Sequence, residues 1–355
     1  MLTEKHPTIY FADKAFEALQ NLLETNHYSK LVFLVDENTH EYCLPYFLQN
    51  SGELPPCEVL EIEAGEESKS MEIVCQLWEA LAEMEVDRNA LMVNVGGGVI
   101  TDIGGFLAGT YLRGIDFVNV PTSLLAMVDA SNGGKNGVNL GGLKNRIGLF
   151  LEPTMVLVQP LFLETLPSKQ LRSGFAEMLK HALIADANYW KQLRQIKPEK
   201  GVISLELIKK SIEIKQQIVS QDFKEVGLRK CLNFGHTVGH AIESLSHVQG
   251  VPLLHGEAVA LGMIAELFLS KHYGRLPEEE FLEATQSIKN QYTAVRFTPD
   301  MEALLPLMRS DKKNTEQQIK MALLTRIGAC RVDIMVEEER ILEALHYLTE
   351  QTALK

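Results

Sequence analysis

The stretch Val93–Gly109, VNVGGGVITDIGGFLAG, places the tightest limit on the fold. An apolar β-type run enters Gly96, Gly97 and Gly98 and leaves as an apolar helix. Glycines at such a junction let the backbone turn sharply and approach a ligand without a Cβ clash. The N-terminus of the following helix presents N–H groups and the positive end of its dipole, which suits a pyrophosphate. Asp102 lies about one turn into that helix. The pattern departs from G-x-G-x-x-G, because Thr101 takes the last glycine position. A tight strand–helix turn without a ligand is the plainer reading of the same residues.

The junction sits in a region where short β-rich runs alternate with helical periodicity. The strand candidates are Lys30–Val35, Ala90–Val95, Asp116–Val120 and Met155–Val158, and the helical ones are Lys14–Thr25 and Met71–Met84. Alternation of this kind predicts a mostly parallel α/β sheet, a Rossmann-like domain. From about residue 160 the pattern turns helical: Ser168–Ala185, Leu205–Gln221, His236–Ser246, Gly256–His272, Glu278–Gln291 and Glu337–Thr352. Within the run KMALLTRIGACRVDI, two short strands are expected around a turn at Ile327–Gly328. The expected division is an α/β domain over 1–158 and a mainly α-helical domain over 159–355.

The totals narrow the function. With 34 basic and 47 acidic residues the net charge is −13. A general nucleic-acid binder needs a basic surface to displace counterions, so that class is disfavoured. A local basic pocket for a small anion remains compatible. The five cysteines are far apart and form no C-x-x-C, which fits free thiols in a reducing compartment. The first residues carry no apolar signal segment, and no uncharged run approaches the ~20 residues of a membrane helix. A cytoplasmic enzyme is the expectation.

Two further segments carry chemistry. Pro121–Gly148 reads as a polar loop that mixes Asp129, Lys135, Asn139, Lys144, Asn145 and Arg146 with glycines. Three cations in such a loop suit the oxygens of a carboxylate or phosphate, and a solvated surface loop is the alternative. Downstream, His236-Thr-Val-Gly-His240 puts two imidazoles on one helix face, and His255 follows at the start of another helix. Catalytic zinc takes three protein ligands and keeps a position open. HTVGH lacks the glutamate of HExxH, since Thr237 stands there, so a zinc protease is disfavoured. A carboxylate is available in RSGFAEMLKH, where Glu177, Lys180 and His181 share a face. Spacing alone leaves open Glu177 against His181 and His236 against His240. A Glu177–Lys180 salt bridge is the structural alternative.

The segments GGGVITDIGGF, YLRG, VPTSLLAMVDAS, GGKNGVN, LKNRIG, GFAEMLKHALI, LNFGHTVGHAIE and LLHGEAVALGM together resemble the 3-dehydroquinate synthase family of sugar-phosphate cyclases. The resemblance spans about Asp36 to Lys313. It implies a zinc or cobalt ion on Glu177, His236 and His255. It implies NAD on Asp36, Glu66, Lys69, Gly96, Gly97, Gly98, Asp102, Thr122, Ser123, Leu125, Phe162, Thr165, Leu166 and Gln170. The substrate, 3-deoxy-D-arabino-heptulosonate 7-phosphate, would meet Asp129, Lys135, Lys144, Asn145, Lys180, Lys215, Arg229, Asn233 and His240. One lysine of Asp311-Lys312-Lys313, taken as Lys313, would join them. Arg113 would reach the phosphate site of a neighbouring subunit, which implies a homodimer. The implied chemistry is a transient oxidation at carbon 5, β-elimination of phosphate, return of the hydride, ring opening and aldol closure.

Some positions depart from the family pattern. Thr101 and Gly104 stand where glycine and alanine are common, Asn132 and Asn136 replace valine and threonine, and GGLKN replaces PLGKN. None removes an implied catalytic side chain. The rival readings are a 2-deoxy-scyllo-inosose or valiolone-type cyclase, a metal-dependent polyol dehydrogenase, and a non-catalytic binding protein. The cyclases differ around Asn233, His240 and the late lysine pair. A polyol dehydrogenase has no need of Lys135, Lys144, Lys180, Lys215 and Arg229 around a phosphate.

Overall fold

The computed structural model describes residues 7–141, 143–293, 295, 301–309 and 319–352. The chain divides into two compact units, Met1–Pro167 and Ser168–Lys355. No helix among the described residues is long and apolar enough to cross a membrane.

The first unit is built on β1 (Thr8–Phe11), β2 (Leu31–Asp36), β3 (Cys57–Ile62), β4 (Leu91–Gly96), β5 (Asp116–Pro121) and β8 (Met155–Val158). They form one sheet in the order β1-β8-β5-β4-β2-β3, with every pair parallel. Strands β2, β4 and β8 are buried almost throughout, which explains their uninterrupted apolar sequences. Edge strand β3 is half exposed and carries Glu58 and Glu61, so its sequence alternates and hides the strand. From β2 the chain moves outward to β3, then returns and continues the other way through β4, β5 and β8. The reversal lies between β2 and β4. Ligands of open α/β sheets bind at the carboxyl ends of strands at such a point. Asp36 ends β2 and Gly96 ends β4.

The expected polar loop over Pro121–Gly148 is largely ordered backbone. A π-helical turn spans Ala126–Ala130, and β6 (Lys135–Leu140) pairs antiparallel with β7 (Leu143–Phe150). Glycine and charge at alternate positions disguised this hairpin. The hairpin glycines let its two strands approach: a Cβ on Gly137 would lie 2.5 Å from the Ile147 carbonyl, and one on Gly148 2.4 Å from the Asn136 carbonyl. A Cβ on Gly105, in the Gly98–Thr110 helix, would lie 2.0 Å from Asn136 Oδ1 on β6. Asn136 in turn donates to the carbonyls of Gly134 at 3.1 Å and Leu151 at 2.7 Å.

The second unit is mainly helical. Its centre is the His255–Leu269 helix, buried on every side as its apolar sequence requires. Around it lie helices Ser168–Ala185, His236–Val248, Glu278–Gln291 and Glu338–Thr352. Strands β9 (Ile319–Arg326) and β10 (Ala329–Val336) form the expected hairpin, with Gly328 at φ 89° in its turn. Short helices Ala187–Leu193 and Met301–Arg309 escaped the sequence reading.

Candidate active site

In the second unit three histidines converge. One ring nitrogen from each of His236, His240 and His255 lies within 4.8 Å of the others. His236 and His255 each open a helix, and His240 follows His236 by one turn. Glu177 enters from the Ser168–Ala185 helix and is fully buried. Its Oε1 lies 3.5 Å from His236 Nε2 and 3.6 Å from His255 Nε2. His181, the other candidate on that helix, instead meets Ser211 Oγ at 2.8 Å through Nδ1.

The ring orientations are fixed from behind. His236 Nδ1 meets the Phe234 carbonyl at 3.1 Å, and His255 Nδ1 meets Glu243 Oε2 at 3.3 Å. An Nδ1 that donates to oxygen leaves Nε2 as the ligand nitrogen, the usual arrangement around protein-bound metals. Burial disfavours an imidazolium at His255, but Glu243 and Glu177 outweigh it and push the pKa up to about 10. Burial holds His236 well below the ordinary histidine value against the pull of Glu177. Glu243 and Glu177 thus favour positive charge at His255, whereas burial disfavours it at His236. An N/N/O donor set of this kind fits zinc or cobalt.

The salt-bridge alternative is also present: Lys180 Nζ contacts Glu177 Oε2, and both side chains are buried. The same carboxylate therefore faces an ammonium on one side and two imidazoles on the other. Lys215 and Arg229 are buried in this unit as well. Arg229 donates from its guanidinium to the Phe223 carbonyl at 2.6 Å, and Asn233 Nδ2 donates to Glu225 Oε1 at 2.5 Å. Lys313 and its neighbour Lys312 lie outside the described residues.

In the first unit the expected dinucleotide residues fall at the carboxyl end of the sheet. Gly97 is the N-cap of the Gly98–Thr110 helix, with no side-chain cap. The Thr122 N–H donates to the Gly96 carbonyl at 3.0 Å, and Ser123 Oγ accepts from Ala126 N–H at 3.2 Å. Leu125 leads into the turn that carries Asp129. Buried Lys69 joins Asp102 at 2.5 Å and Asn145 at 2.6 Å, while Glu66 accepts from Asn139 at 2.9 Å and lies 3.9 Å from Lys144. Asp36 Oδ1 caps its own helix through Thr39 N–H at 2.8 Å. Lys135 starts β6 and is exposed. Phe162 is buried edge-on against Tyr46, and Thr165 Oγ1 donates to the Phe162 carbonyl at 3.2 Å. Leu166 precedes Pro167, and Gln170 is exposed at the start of the second unit. Arg113 is exposed on a turn with left-handed backbone at Leu112, φ 50°, and Arg113, φ 71°.

Profiles of the N-terminal and C-terminal regions of 3-dehydroquinate synthase match residues 59–173 and 174–314. A 3-dehydroquinate synthase from Parabacteroides distasonis is 41% identical over 335 residues, covering 94% of this chain and 95% of its own. The chain belongs to the 3-dehydroquinate synthase family. A family member from Streptococcus pyogenes is 37% identical over 345 residues, with 96% of each chain covered. Among solved structures, 2-epi-5-epi-valiolone synthase from Streptomyces hygroscopicus subsp. jinggangensis, with NAD+ and Zn2+ bound, superposes with a TM-score of 0.82. It is 27% identical and covers 99% of both chains. A 2-deoxy-scyllo-inosose synthase complexed with carbaglucose-6-phosphate, NAD+ and Co2+ shares the fold at a TM-score of 0.85 and 24% identity, covering 97% of this chain and 98% of its own.

Sequence reasoning missed the residues that support the site: Ser173, whose Oγ accepts from the Gly256 N–H at 2.9 Å, Ser211 and Glu243 behind the imidazoles, and Glu266, which accepts from the Gly235 and Val238 N–H groups. Glu266 left a readable signal, as the one acidic residue in the apolar run AVALGMIAELFL.

Proposed function

We propose that this family member acts as a 3-dehydroquinate synthase, converting 3-deoxy-D-arabino-heptulosonate 7-phosphate to 3-dehydroquinate and phosphate. The observation that carries the reading is the Glu177–His236–His255 cluster with Lys180 beside it, in a chain matched along nearly its whole length by synthases of this name. Glu177, His236 and His255 would hold one divalent zinc or cobalt ion. NAD would take the open helix end at Gly97–Gly98, between the ends of β2 and β4. When bound, NAD supplies a reversible hydride acceptor and the ion a Lewis acid that lowers the pKa of a substrate hydroxyl.

The chain's own residues do the remainder. Lys180 pairs with Glu177 and places an ammonium next to the cluster. Lys215 and Arg229 supply buried positive charge for a phosphate dianion. Asn233 and His240 serve as hydrogen-bonding groups for substrate hydroxyls. Asp129, Lys135, Lys144 and Asn145 keep the substrate role that the family resemblance implies, and so does Lys313. The exposed turn at Arg113 suits a side chain that serves a partner subunit of a homodimer.

The test is to supply purified protein with the heptulosonate phosphate, NAD and zinc, and to measure phosphate release. No release sinks the assignment. Net accumulation of NADH on a polyol favours the dehydrogenase reading instead.

A further inference from the structure

The two helices that bring in His236 and His255 touch backbone to backbone. Gly262 sits on the His255–Leu269 helix. A Cβ there would lie 2.0 Å from the Gly235 carbonyl and 2.6 Å from the Gly239 nitrogen. A Cβ on Gly239 would lie 3.0 Å from Val259 Cα. At this crossing the His236–Val248 helix begins with Gly235, at φ 80°, and no side-chain cap of its own. The first N–H groups of a helix need an acceptor, and a buried start without one is costly.

Glu266 supplies it from the other helix. Its Oε2 accepts from Gly235 N–H at 2.6 Å, and its Oε1 accepts from Val238 N–H at 3.1 Å. Glu266 is fully buried. A carboxylate is tolerable there because two N–H groups and the positive helix end face it. His236 lies between the two donors, and His240 follows two residues after Val238. His255 opens the helix that carries Glu266. One side chain therefore ties the backbone around one pair of histidines to the helix of the third.

We propose that Glu266 is a positioning residue for the metal centre, holding His236 and His240 in register with His255. This rests on the reading of His236 and His255 as metal ligands. Glutamine at this position keeps the shape but loses the charge. It also turns an amide NH2 toward one of the two N–H groups. The helix start then shifts, and the nitrogens leave their productive spacing without any ligand having been removed.

The experiment measures Co2+ binding to the intact protein, its wild-type form beside Glu266→Gln, Glu266→Asp and His255→Ala. The readouts are affinity by competition with a chelator and the visible spectrum of the bound ion. Wild-type protein is expected to bind one ion, and His255→Ala to lose it. Glu266→Gln should keep its far-ultraviolet circular dichroism, bind Co2+ roughly ten- to a hundredfold more weakly, and show an altered spectrum. Glu266→Asp, which keeps the charge but falls short of one donor, should lie between. Wild-type protein that binds no ion overturns the ligand reading itself. Wild-type binding with an unchanged affinity and spectrum in Glu266→Gln overturns the role of Glu266 alone. If Glu266→Gln does not fold, amide exchange in the metal-free wild type reads the same contact. Protected Gly235 and Val238 support the proposal, and exchange as fast as exposed amides overturns it.

Discussion

Two helices in this chain begin at a glycine without a side-chain cap, one extended at Gly97 and one left-handed at Gly235, and their starts are completed differently. The Gly98–Thr110 helix in the first unit and the His236–Val248 helix in the second both have a glycine N-cap and no side-chain cap. In the second unit the vacant acceptor position is filled by Glu266. In the first, no side chain caps the start, and under the proposed function it is left to the pyrophosphate of NAD. A helix start closed from within fixes the geometry of its side chains. One left open can bind a ligand through its backbone. Local sequence does not separate the two cases, because the difference lies in a residue 28 to 31 positions away.

The largest effect should come from the closed region. His255→Ala is expected to remain folded, lose stoichiometric metal and lose phosphate release. His240→Ala is expected to lose turnover but keep its metal. Metal analysis on the two purified variants decides between two donor sets. One is Glu177 with His236 and His255. The other is the three imidazoles that lie within reach of one another. If His240→Ala also arrives without metal, the ion belongs to the histidines and Glu177 serves Lys180 alone.

The open region can be closed by design. Gly97 has φ −74° and ψ −168°, ordinary N-cap backbone, and a Cβ there would meet only Ser123 Oγ, at 3.5 Å. Gly97→Asp should therefore cap the helix and add about a few tenths of a kcal/mol of stability. The same carboxylate would compete with a pyrophosphate. NAD affinity, read by titration calorimetry, should fall at least about tenfold, a loss of about 1.4 kcal/mol. A more stable variant with unchanged NAD affinity would break the comparison.

The fold was legible where burial is uniform. Strands β2, β4, β5 and β8 read as apolar runs because both sheet faces are covered. Strand β3 was lost to its glutamates, and the β6–β7 hairpin to glycines whose reason is the backbone of the facing strand. The site was legible as residue types but not as pairings. HTVGH announced two imidazoles on one face, yet nothing local tells which of them faces Glu177. The hairpin offers a modest test of the same point. Asn136→Ala removes two hydrogen bonds to backbone carbonyls, one of them buried, and should cost about 1–3 kcal/mol in denaturant unfolding. Catalytic-site metal should be untouched.

The smallest effect concerns Asp222, another carboxylate that closes a set of backbone donors. It accepts from Val226 at 2.9 Å, Gly227 at 2.7 Å and Arg229 at 3.0 Å, and so shapes the turn that delivers Arg229. Desolvation raises its pKa, but these N–H groups and the Arg229 guanidinium outweigh that and hold it below the usual carboxylate value. A carboxyl with a depressed folded-state pKa contributes stability above its unfolded value, near 4, and loses it as the pH falls through the folded one. Asp222→Asn should therefore be slightly less stable than wild type at pH 7. The gap should narrow as acid protonates the wild-type carboxyl. Chemical unfolding of both proteins between pH 7 and pH 3 measures it. A gap that stays constant would mean that the turn is held by shape alone. Unlike Glu266, Asp222 would then be replaceable by any acceptor of its size.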